Sequence, residues 1–172
     1  MNHAQPIDET AQSWSLETPL GPMRVCIDAT GDLTQVTFTT DPPGQMPMPT
    51  PPAVVTLLMQ LDEFARGQRD VFDLPLAARG SPFERSVWRE TSGIPRGHTT
   101  SYAAIATALG QPRSAARAVG GALGRNPWHV IVPCHRVIGR DGRLTGYAAG
   151  VHIKQRLLEL EGASLTAPHA SE

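Results

Sequence analysis

The amino-acid sequence predicts an α+β protein with two domains. Short runs of alternating polar and apolar residues, typical of antiparallel strands, open the first half, and one helical segment follows them. From residue 82 onward, apolar residues recur at helical spacing between cap and turn signals. With 172 residues, 40% of them hydrophobic, the chain is long enough for two small cores. We therefore predict a first domain over 1–76, a linker over 77–81, a second domain over 82–163 and a tail over 164–172.

The first half is predicted to contain a meander of three antiparallel strands. A loose segment over residues 1–11 precedes them. Apolar and polar residues then alternate over Ser13–Thr18, Met23–Ala29 and Leu33–Thr39, and the segments between them are rich in Gly, Pro and Asp. Cys26 falls in the second strand, where we expect it to serve packing.

A proline-rich loop and a helix complete the first half. Residues Asp41–Pro52 include six prolines, which exclude a helix or an inner strand, so we predict an extended, exposed loop. Apolar residues over Ala53–Arg66 share one helical face, and Gly67 ends the helix. Asp70–Leu76 is predicted as a further short strand.

The second half is predicted to contain four helices. Their ranges are Pro82–Ser92, Thr100–Leu109, Pro112–Leu123 and Val151–Glu161. Ser81 and Glu84 form a capping-box pattern at the first of them. The tight turn between the second and third predicts a helix-turn-helix, a pattern that many helical proteins share. The residues predicted to face the core are Phe83, Val87 and Trp88 in the first helix and Ile153, Leu157 and Leu160 in the last.

Charge is distributed unevenly between the two halves. Residues 1–80 hold four Arg and ten Asp or Glu, whereas residues 81–162 hold eleven Lys or Arg and five Asp or Glu. The net charge of the whole chain is only -1. A basic half of this kind either binds a polyanion such as nucleic acid or forms a solvated basic surface.

The cysteine content predicts a reducing compartment. Only Cys26 and Cys134 are present, so neither a disulfide framework nor a cysteine-rich zinc pattern is available. The N-terminus lacks a signal-peptide pattern, and no apolar run reaches the roughly 18 residues that span a bilayer. We therefore expect a cytoplasmic protein that does not enter a membrane.

The third helix of the second half has an unusual face. Arg113, Arg117, Gly120 and Gly124 fall on one side at 100° per residue, opposite the packing side. Each glycine inside a helix costs roughly 0.5–1 kcal/mol relative to alanine. Close approach of another backbone would explain them, either protein or nucleic acid, and the arginines favour nucleic acid.

The segment Ile131–Ile138 carries the strongest chemical signal. A short apolar run leads into Pro133 and Cys134, and His135 and Arg136 follow at once. A partly shielded thiol beside potential cations is a candidate nucleophile, although free cysteines more often only pack.

Two further features lie downstream of that cysteine. Residues Thr145–Gly150 form a loop of small residues with one aromatic, which suits a pocket wall. Glu161 lies at a helix C-terminus, where the helix dipole disfavours a carboxylate. It is therefore either paired with another group or solvated at a frayed end.

These motifs resemble the O6-alkylguanine-DNA alkyltransferases, also called methylated-DNA–protein-cysteine methyltransferases. The resemblance is close over residues 82–162 and holds only in outline over residues 14–76. The motifs that carry it are Ala115-Ala116-Arg117-Ala118-Val119-Gly120-Gly121-Ala122, Asn126-Pro127, Ile131-Val132-Pro133-Cys134-His135-Arg136-Val137-Ile138, Gly146-Tyr147-Ala148-Ala149-Gly150 and Leu157-Leu158-Glu159-Leu160-Glu161-Gly162. The resemblance implies a ribonuclease-H-like first domain and a winged helix-turn-helix-like second domain that carries the active cysteine.

The resemblance also implies a set of catalytic residues. Cys134 would attack the alkyl carbon on guanine O6, and His135 would act as its base through a bridging water. Glu161 would orient His135, and Asn126 would brace the turn beneath the cysteine. Tyr102 would donate a proton to the departing guanine. A direct Cys134–His135 hydrogen bond is not expected, because adjacent residues of an extended chain point apart.

DNA and base contacts are implied in the same way. The second helix of the helix-turn-helix would enter the minor groove, the target base would flip out, and Arg117 would fill the vacated stack. Tyr102 would also press the target phosphate. The Cys134 and Val137 carbonyls and the Ala148 amide would read the flipped base. The DNA-binding residues so predicted are Arg117, Tyr102, Ala115, Ala116, Gly120 and Arg113, and those of the substrate pocket are Val137, Tyr147, Ala148, Ala149, Pro133 and Trp128.

The partner implied is duplex DNA that contains O6-alkylguanine, with O4-alkylthymine as a second substrate. A monomer that acts once per molecule is implied, with cooperative DNA binding left open, and no cofactor or metal. Ala149 stands where relatives often have glycine, which leaves tolerance of bulky alkyl groups open. Three other classes of protein are the alternatives. A non-catalytic alkyltransferase-like protein would lack Cys134. A cysteine hydrolase would catalyse repeated turnover of an ester or amide, and a plain helix-turn-helix regulator would bind DNA without needing Cys134.

Overall fold

The computed structural model of the protein describes residues 12–163, and the chain divides into two compact units between Ala78 and Arg79. This division lies inside the predicted linker over 77–81. The segments 1–11 and 164–172, predicted as a loose segment and a tail, lie outside the described residues. The described part is a mixed α/β structure with a small three-stranded antiparallel sheet and five α-helices, which confirms the predicted class at that level.

The first unit contains the predicted meander. Strands β1 (Gln12–Leu16), β2 (Met23–Ile27) and β3 (Leu33–Phe38) pair in sequence order, and both pairs are antiparallel. Met23 and Val25 are fully buried, as expected when alternate residues of a strand face a core. Cys26 lies on the opposite face and is half-buried.

The proline-rich loop and the first helix also match their predictions. Residues 41–51 contain no helix or strand and are mostly exposed. Helix α1 (Pro52–Ala65) begins at a proline, whose fixed φ suits the first helical turn. One face of α1 is fully buried, and its members are Val54, Leu57, Leu61 and Phe64.

The predicted strand over Asp70–Leu76 is wrong. Only an isolated bridge joins Leu76 to Leu33 there. The buried Gln60 side chain replaces a strand partner, because its amide nitrogen donates to the Asp73 carbonyl at 2.8 Å and its oxygen accepts from the Asp73 amide at 2.9 Å. The backbone groups of Asp73 therefore bond to a side chain and not to a strand, while Leu33 forms backbone hydrogen bonds with Pro75 and Ala77.

The second unit contains the four predicted helices, the first with the predicted bounds and the other three with altered ones. They are α2 (Pro82–Ser92), α3 (Tyr102–Ala108), α4 (Ala116–Gly124) and α5 (Val151–Leu160). The residues predicted as the start of α4 form a separate 3-10 turn over Arg113–Ala115. Two short parallel strands, β4 (Thr100–Ser101) and β5 (Val137–Ile138), were not expected from the sequence. Their pairing brings the start of α3 beside the segment that follows Cys134.

Helix α2 has the capping box that its sequence predicts. The Ser81 hydroxyl accepts from the Glu84 amide, and the Glu84 carboxylate accepts from the Ser81 amide at 2.7 Å. Val87 and Trp88 are buried as predicted, whereas Phe83 is only half-buried. The Trp88 indole donates to the Ala122 carbonyl at 2.9 Å, which ties α2 to α4.

The buried face of α5 differs from the prediction. Lys154 and Leu158 are fully buried, whereas Leu160 is 40% exposed and Ile153 is half-buried. Residues 154, 157, 158 and 161 form a helical stripe at spacings of three and four. This stripe faces the core because Lys154 and Glu161 form hydrogen bonds inside the unit. A prediction from hydrophobic residues alone therefore assigns the wrong buried face to α5.

Residues 12–163 contain neither a membrane-spanning helix nor a cluster of metal-binding side chains. No helix in this range is long and apolar enough to cross a membrane. Nor does this range hold a group of three or more His, Cys, Asp or Glu side chains that could bind a metal ion.

Candidate active site

Cys134 lies in a tight turn and not on an extended chain. Residues Cys134–Arg136 form a 3-10 turn, closed by a hydrogen bond of 2.9 Å from the Arg136 amide to the Pro133 carbonyl. The expectation that Cys134 and His135 point apart therefore rested on the wrong backbone. Successive side chains of a 3-10 turn still diverge by about 120°.

Asn126 braces the backbone beneath the cysteine. Its side-chain nitrogen donates to the Val132 carbonyl at 3.0 Å and to the Cys134 sulfur at 3.2 Å. It also donates to the Trp128 carbonyl at 3.2 Å, and its oxygen accepts from the Trp128 amide at 2.9 Å. One buried amide thus holds both ends of the turn over 128–132.

That turn contains a strained residue. Val130 has a φ of 73°, a conformation that is a genuine outlier for a β-branched residue. Such a conformation costs on the order of 1–3 kcal/mol and persists only where the surroundings impose it. The four hydrogen bonds of Asn126 supply that constraint.

The electrostatic environment of the thiol has opposing parts. Burial raises the pKa of the Cys134 thiol, and the Asn126 amide and the Lys154 ammonium oppose that rise. At rest the thiol therefore keeps its proton, and it needs a base to become a nucleophile.

His135 and Glu161 form a buried hydrogen-bonded pair, and Arg136 binds the same carboxylate. His135 Nε2 lies 2.7 Å from Glu161 Oε1, and the Arg136 guanidinium donates to both carboxylate oxygens. Burial would raise the pKa of Glu161, but hydrogen bonds from His135 and Arg136 outweigh it and bring that pKa to about 2. Glu161, at the C-terminus of α5, is therefore paired with His135 and Arg136 and does not lie at a solvated, frayed end.

The second nitrogen of His135 is available for chemistry. Nδ1 is buried and has no hydrogen-bond partner among the described residues. Burial lowers the pKa of His135, against the effect of Glu161, so the imidazole is neutral near pH 7. A neutral imidazole held at Nε2 can accept a proton at Nδ1.

A cavity of about 310 Å³ opens onto Cys134. Its volume suits a small-molecule or base-sized ligand. The Tyr102 hydroxyl donates to the Thr145 carbonyl at 3.2 Å across this cavity. The lining residues are Tyr102, Gly120, Leu123, Gly124, Cys134, Thr145, Gly146, Tyr147 and Ala148.

Only part of the predicted pocket set lines this cavity. Tyr147 and Ala148 do so, but Pro133, Val137, Ala149 and Trp128 are not among the lining residues. The Trp128 ring packs edge-on against Trp88, with centroids 5.6 Å apart, and is a core residue.

Helix α4 presents the two faces that its sequence predicts. Val119, Ala122 and Leu123 are buried, whereas Arg117 and Gly124 are exposed. Arg113, in the preceding turn, is also exposed, and Ala115 and Ala116 are half-buried. A Cβ at position 120 would lie 3.7 Å from the Tyr102 ring, an ordinary van der Waals contact, so packing against Tyr102 does not require glycine there.

Two site residues were missed in the sequence. Arg136 was treated as a neighbouring cation only, yet it holds Glu161 and donates to the Ile94 carbonyl at 2.5 Å. Lys154 is not part of any of the family motifs, yet it is fully buried beside the cavity. A lysine four residues before Leu158 and seven before Glu161 was the signal that could have identified it.

Comparison with known proteins agrees with this geometry. The sequence profile of the family described as 6-O-methylguanine DNA methyltransferase, DNA binding domain, matches residues 82–163. A methylated-DNA–protein-cysteine methyltransferase of Methanosarcina barkeri is 52% identical over 106 residues, which are 62% of this chain and 66% of that protein. The protein of that name from Mycobacterium bovis is 41% identical over 149 residues, or 86% of this chain and 90% of the relative.

Solved structures agree in fold as well. The crystal structure of Mycobacterium tuberculosis O6-methylguanine methyltransferase gives a TM-score of 0.75 at 38% identity, over 88% of this chain and 93% of that one. The crystal structure of Mycobacterium tuberculosis OGT in complex with DNA gives a TM-score of 0.74 at 39% sequence identity. The match covers 88% of this chain and 92% of that one. The relatives and their fold therefore define the class as protein-cysteine methyltransferases. The chain belongs to the methylated-DNA–protein-cysteine methyltransferase family.

Proposed function

We propose that this protein repairs DNA by moving the alkyl group of O6-alkylguanine onto Cys134, once per molecule, with O4-alkylthymine as a second substrate. The observation that carries the proposal is the Cys134 thiol, which opens onto the 310 Å³ cavity and is held from behind by Asn126. A new sulfur–carbon bond forms as the carbon–O6 bond breaks, and the bond electrons stay on guanine. The product thioether is a poor electrophile, so the protein cannot release the alkyl group.

His135 serves as the base in this proposal. Its Nδ1 takes the thiol proton through a bridging water, while Nε2 stays bonded to Glu161. The buried carboxylate, whose pKa lies near 2, remains charged and stabilises the imidazolium that forms. Tyr102 donates its proton to guanine as it leaves, because an anionic base is a poor leaving group.

The DNA partner is assigned to the second unit. The α3–α4 pair, with the short strands β4 and β5, supports a winged helix-turn-helix over the domain 82–163, and the sheet with α1 supports a ribonuclease-H-like domain over 1–76. Arg117 and Arg113 are exposed at α4 and suit contacts with phosphates or the minor groove. The cavity accepts a base only after the base leaves the stack.

Intact-mass analysis tests the proposal directly. After incubation under reducing conditions with duplex DNA that contains O6-methylguanine, we expect a gain of one methyl group on Cys134. Cys134→Ala should show no gain, whereas Cys26→Ser should react normally because Cys26 lies in the first unit. No gain by the wild-type protein would exclude the transferase function, and repeated turnover on an ester or amide would favour a hydrolase.

Arg117→Ala tests the flipping of the base. If Arg117 fills the vacated stack, its loss should slow reaction with duplex substrate on the order of 100-fold, since extrusion costs a few kcal/mol. Reaction with the free O6-methylguanine base should change less than about 3-fold, because no stack is opened. Single-turnover rates with both substrates give the comparison.

Arg89→Ala is the matched control, since Arg89 is also an exposed helical arginine. Equal losses by Arg117→Ala on the duplex and on the free base would argue against a role in flipping.

A further inference from the structure

Lys154 is a buried cation without a carboxylate partner among the described residues. Its side chain is fully buried, and none of the ion pairs in residues 12–163 includes it. A buried charge is costly unless it is compensated by its surroundings. Packing alone would be served better by Leu or Met at this position of α5.

The ammonium group joins three parts of the site. It donates to the Val137 carbonyl at 2.5 Å, directly after the cysteine turn. It donates to the Thr145 carbonyl at 3.0 Å and to the Gly146 carbonyl at 3.4 Å, in the loop that lines the cavity. It also lies 3.4 Å from the Tyr102 hydroxyl.

Tyr102 and Lys154 share one acceptor. Both donate to the Thr145 carbonyl, so the loop stays tethered by Lys154 when the tyrosine hydroxyl turns toward a substrate. All the protein acceptors of the ammonium are uncharged. Its charge is therefore available to balance a negative charge that develops inside the site.

We propose that Lys154 is a positioning residue that tethers the cavity loop and returns a proton to Tyr102 during alkyl transfer. This inference rests on the proposed function and adds a residue and a proton path to it. Lys154 is a buried cation that contacts both the cavity loop and Tyr102.

The proton balance is complete. The tyrosine O–H proton moves to guanine as the carbon–O6 bond breaks, which leaves a tyrosinate beside the ammonium. A proton then moves from Nζ to the tyrosinate oxygen. The site thus ends with neutral Tyr102, neutral Lys154 and protonated His135, and its net charge is unchanged.

The electrostatics of the site support this path. Burial lowers the pKa of Lys154 to about 8, against the effect of the Cys134 thiolate, which makes it a better proton donor than an exposed lysine. Burial raises the pKa of Tyr102, so a tyrosinate there is a strong base. The titratable groups that interact with the ammonium are Tyr102, Cys134 and His135.

The test compares Lys154→Met with Arg156→Met in the full chain. Met has a similar length and no charge, and Arg156 is an exposed cation of the same helix. Single-turnover methyl transfer from O6-methylguanine duplex is measured from pH 6 to 10. The wild-type rate should fall above about pH 8, where the ammonium loses its proton. Lys154→Met should react on the order of 100-fold more slowly without that fall, and Arg156→Met should follow the wild type.

Tyr102→Phe separates a proton path from a structural effect. Without the tyrosine hydroxyl, removal of Lys154 should cost less than about 5-fold, because the coupled pair is already broken. If Lys154→Met does not fold, as judged by thermal unfolding, the profiles of wild type and Tyr102→Phe decide the question. An alkaline fall in the wild type alone supports the inference, and a fall in both overturns it.

The outcomes also separate this inference from the proposed function. Absence of methyl transfer by the wild-type protein would overturn both the proposed function and the role of Lys154. Normal transfer by the wild type, with an unchanged rate and pH profile in Lys154→Met, would overturn only the role of Lys154.

Discussion

Glu161→Gln is expected to lower the free energy of unfolding by about 3–5 kcal/mol, the cost of leaving one member of a buried ion pair without its partner. The substitution keeps the shape of the side chain and removes its charge. The Arg136 side chain, which is only 4% exposed, would then face a neutral amide. Urea denaturation at pH 7 measures the change.

The same substitution should slow methyl transfer. Glu161 raises the pKa of His135 against the effect of burial, so its loss leaves a weaker base at Nδ1. The imidazolium formed during transfer would also lose its counter-charge. We expect a decrease on the order of 100-fold in the single-turnover rate, the lower range for loss of general base catalysis.

The pH dependence of stability follows from the sign of the Glu161 shift. Its folded-state pKa of about 2 lies below the ordinary value of 4.5, so its contribution is fully present above about pH 4.5 and is lost as the pH falls toward 2. The size of that contribution is about 3 kcal/mol. The difference in the free energy of unfolding between wild type and Glu161→Gln should therefore decrease as the pH falls from about 4.5 toward 2.

Glu159→Gln is the matched control for this prediction. It makes the same chemical change two residues earlier in α5, at an exposed carboxylate that accepts from Gln155. Its stability should stay within about 0.5 kcal/mol of the wild type. Equal effects of the two substitutions would contradict the role assigned to the buried pair.

Asn126→Ala is expected to destabilise the protein by about 3 kcal/mol, because it removes the acceptor of the Trp128 amide and one of the two donors to the Val132 carbonyl, which also accepts from the Cys134 amide. The turn that holds Val130 at a φ of 73° would lose its constraint and relax. Urea denaturation gives the loss of stability.

The thiol should respond as well. Asn126 opposes the rise in the Cys134 pKa that burial causes, so its removal should move thiol reactivity to higher pH. The rate of alkylation by iodoacetamide against pH measures this in a Cys26→Ser background, where only Cys134 reacts. Asn126→Asp keeps the acceptor for the Trp128 amide but adds a negative charge, so it should move the pH profile of alkylation to still higher pH. Unchanged pH profiles in both variants would contradict the role of Asn126 as a brace beneath Cys134.

Local sequence signals predicted the elements whose cause is local. Ser81 and Glu84 place the start of α2 because a capping box involves residues three apart. Alternation over β2 and the glycine face of α4 were identified for the same reason. The strand predicted over 70–76 is wrong, because the backbone groups of Asp73 in that segment bond to the side chain of Gln60, which is distant in the sequence.

The candidate site divides in the same manner. Family motifs indicated Cys134, His135 and Asn126. The structure places Cys134 and His135 in one 3-10 turn, and the Asn126 side chain donates to the Cys134 sulfur from outside that turn. The roles of Arg136 and Lys154 depend on partners 25 and 17 residues away, in segments that no periodicity connects. Trp128 was assigned to the pocket, whereas its packing on Trp88 places it in the core.

By itself, the sequence determined the α+β class, the helix with its capping box, the basic half and the segment that holds the candidate nucleophile Cys134. Each follows from the residue types within a few positions of one another. Only the tertiary structure decided that Cys134 sits in a 3-10 turn braced by Asn126, that Glu161 is charged and paired, and that Lys154 is buried beside Tyr102. The physical reason is that burial and hydrogen bonding between distant segments set the charge state of these groups, and neither is encoded in local spacing.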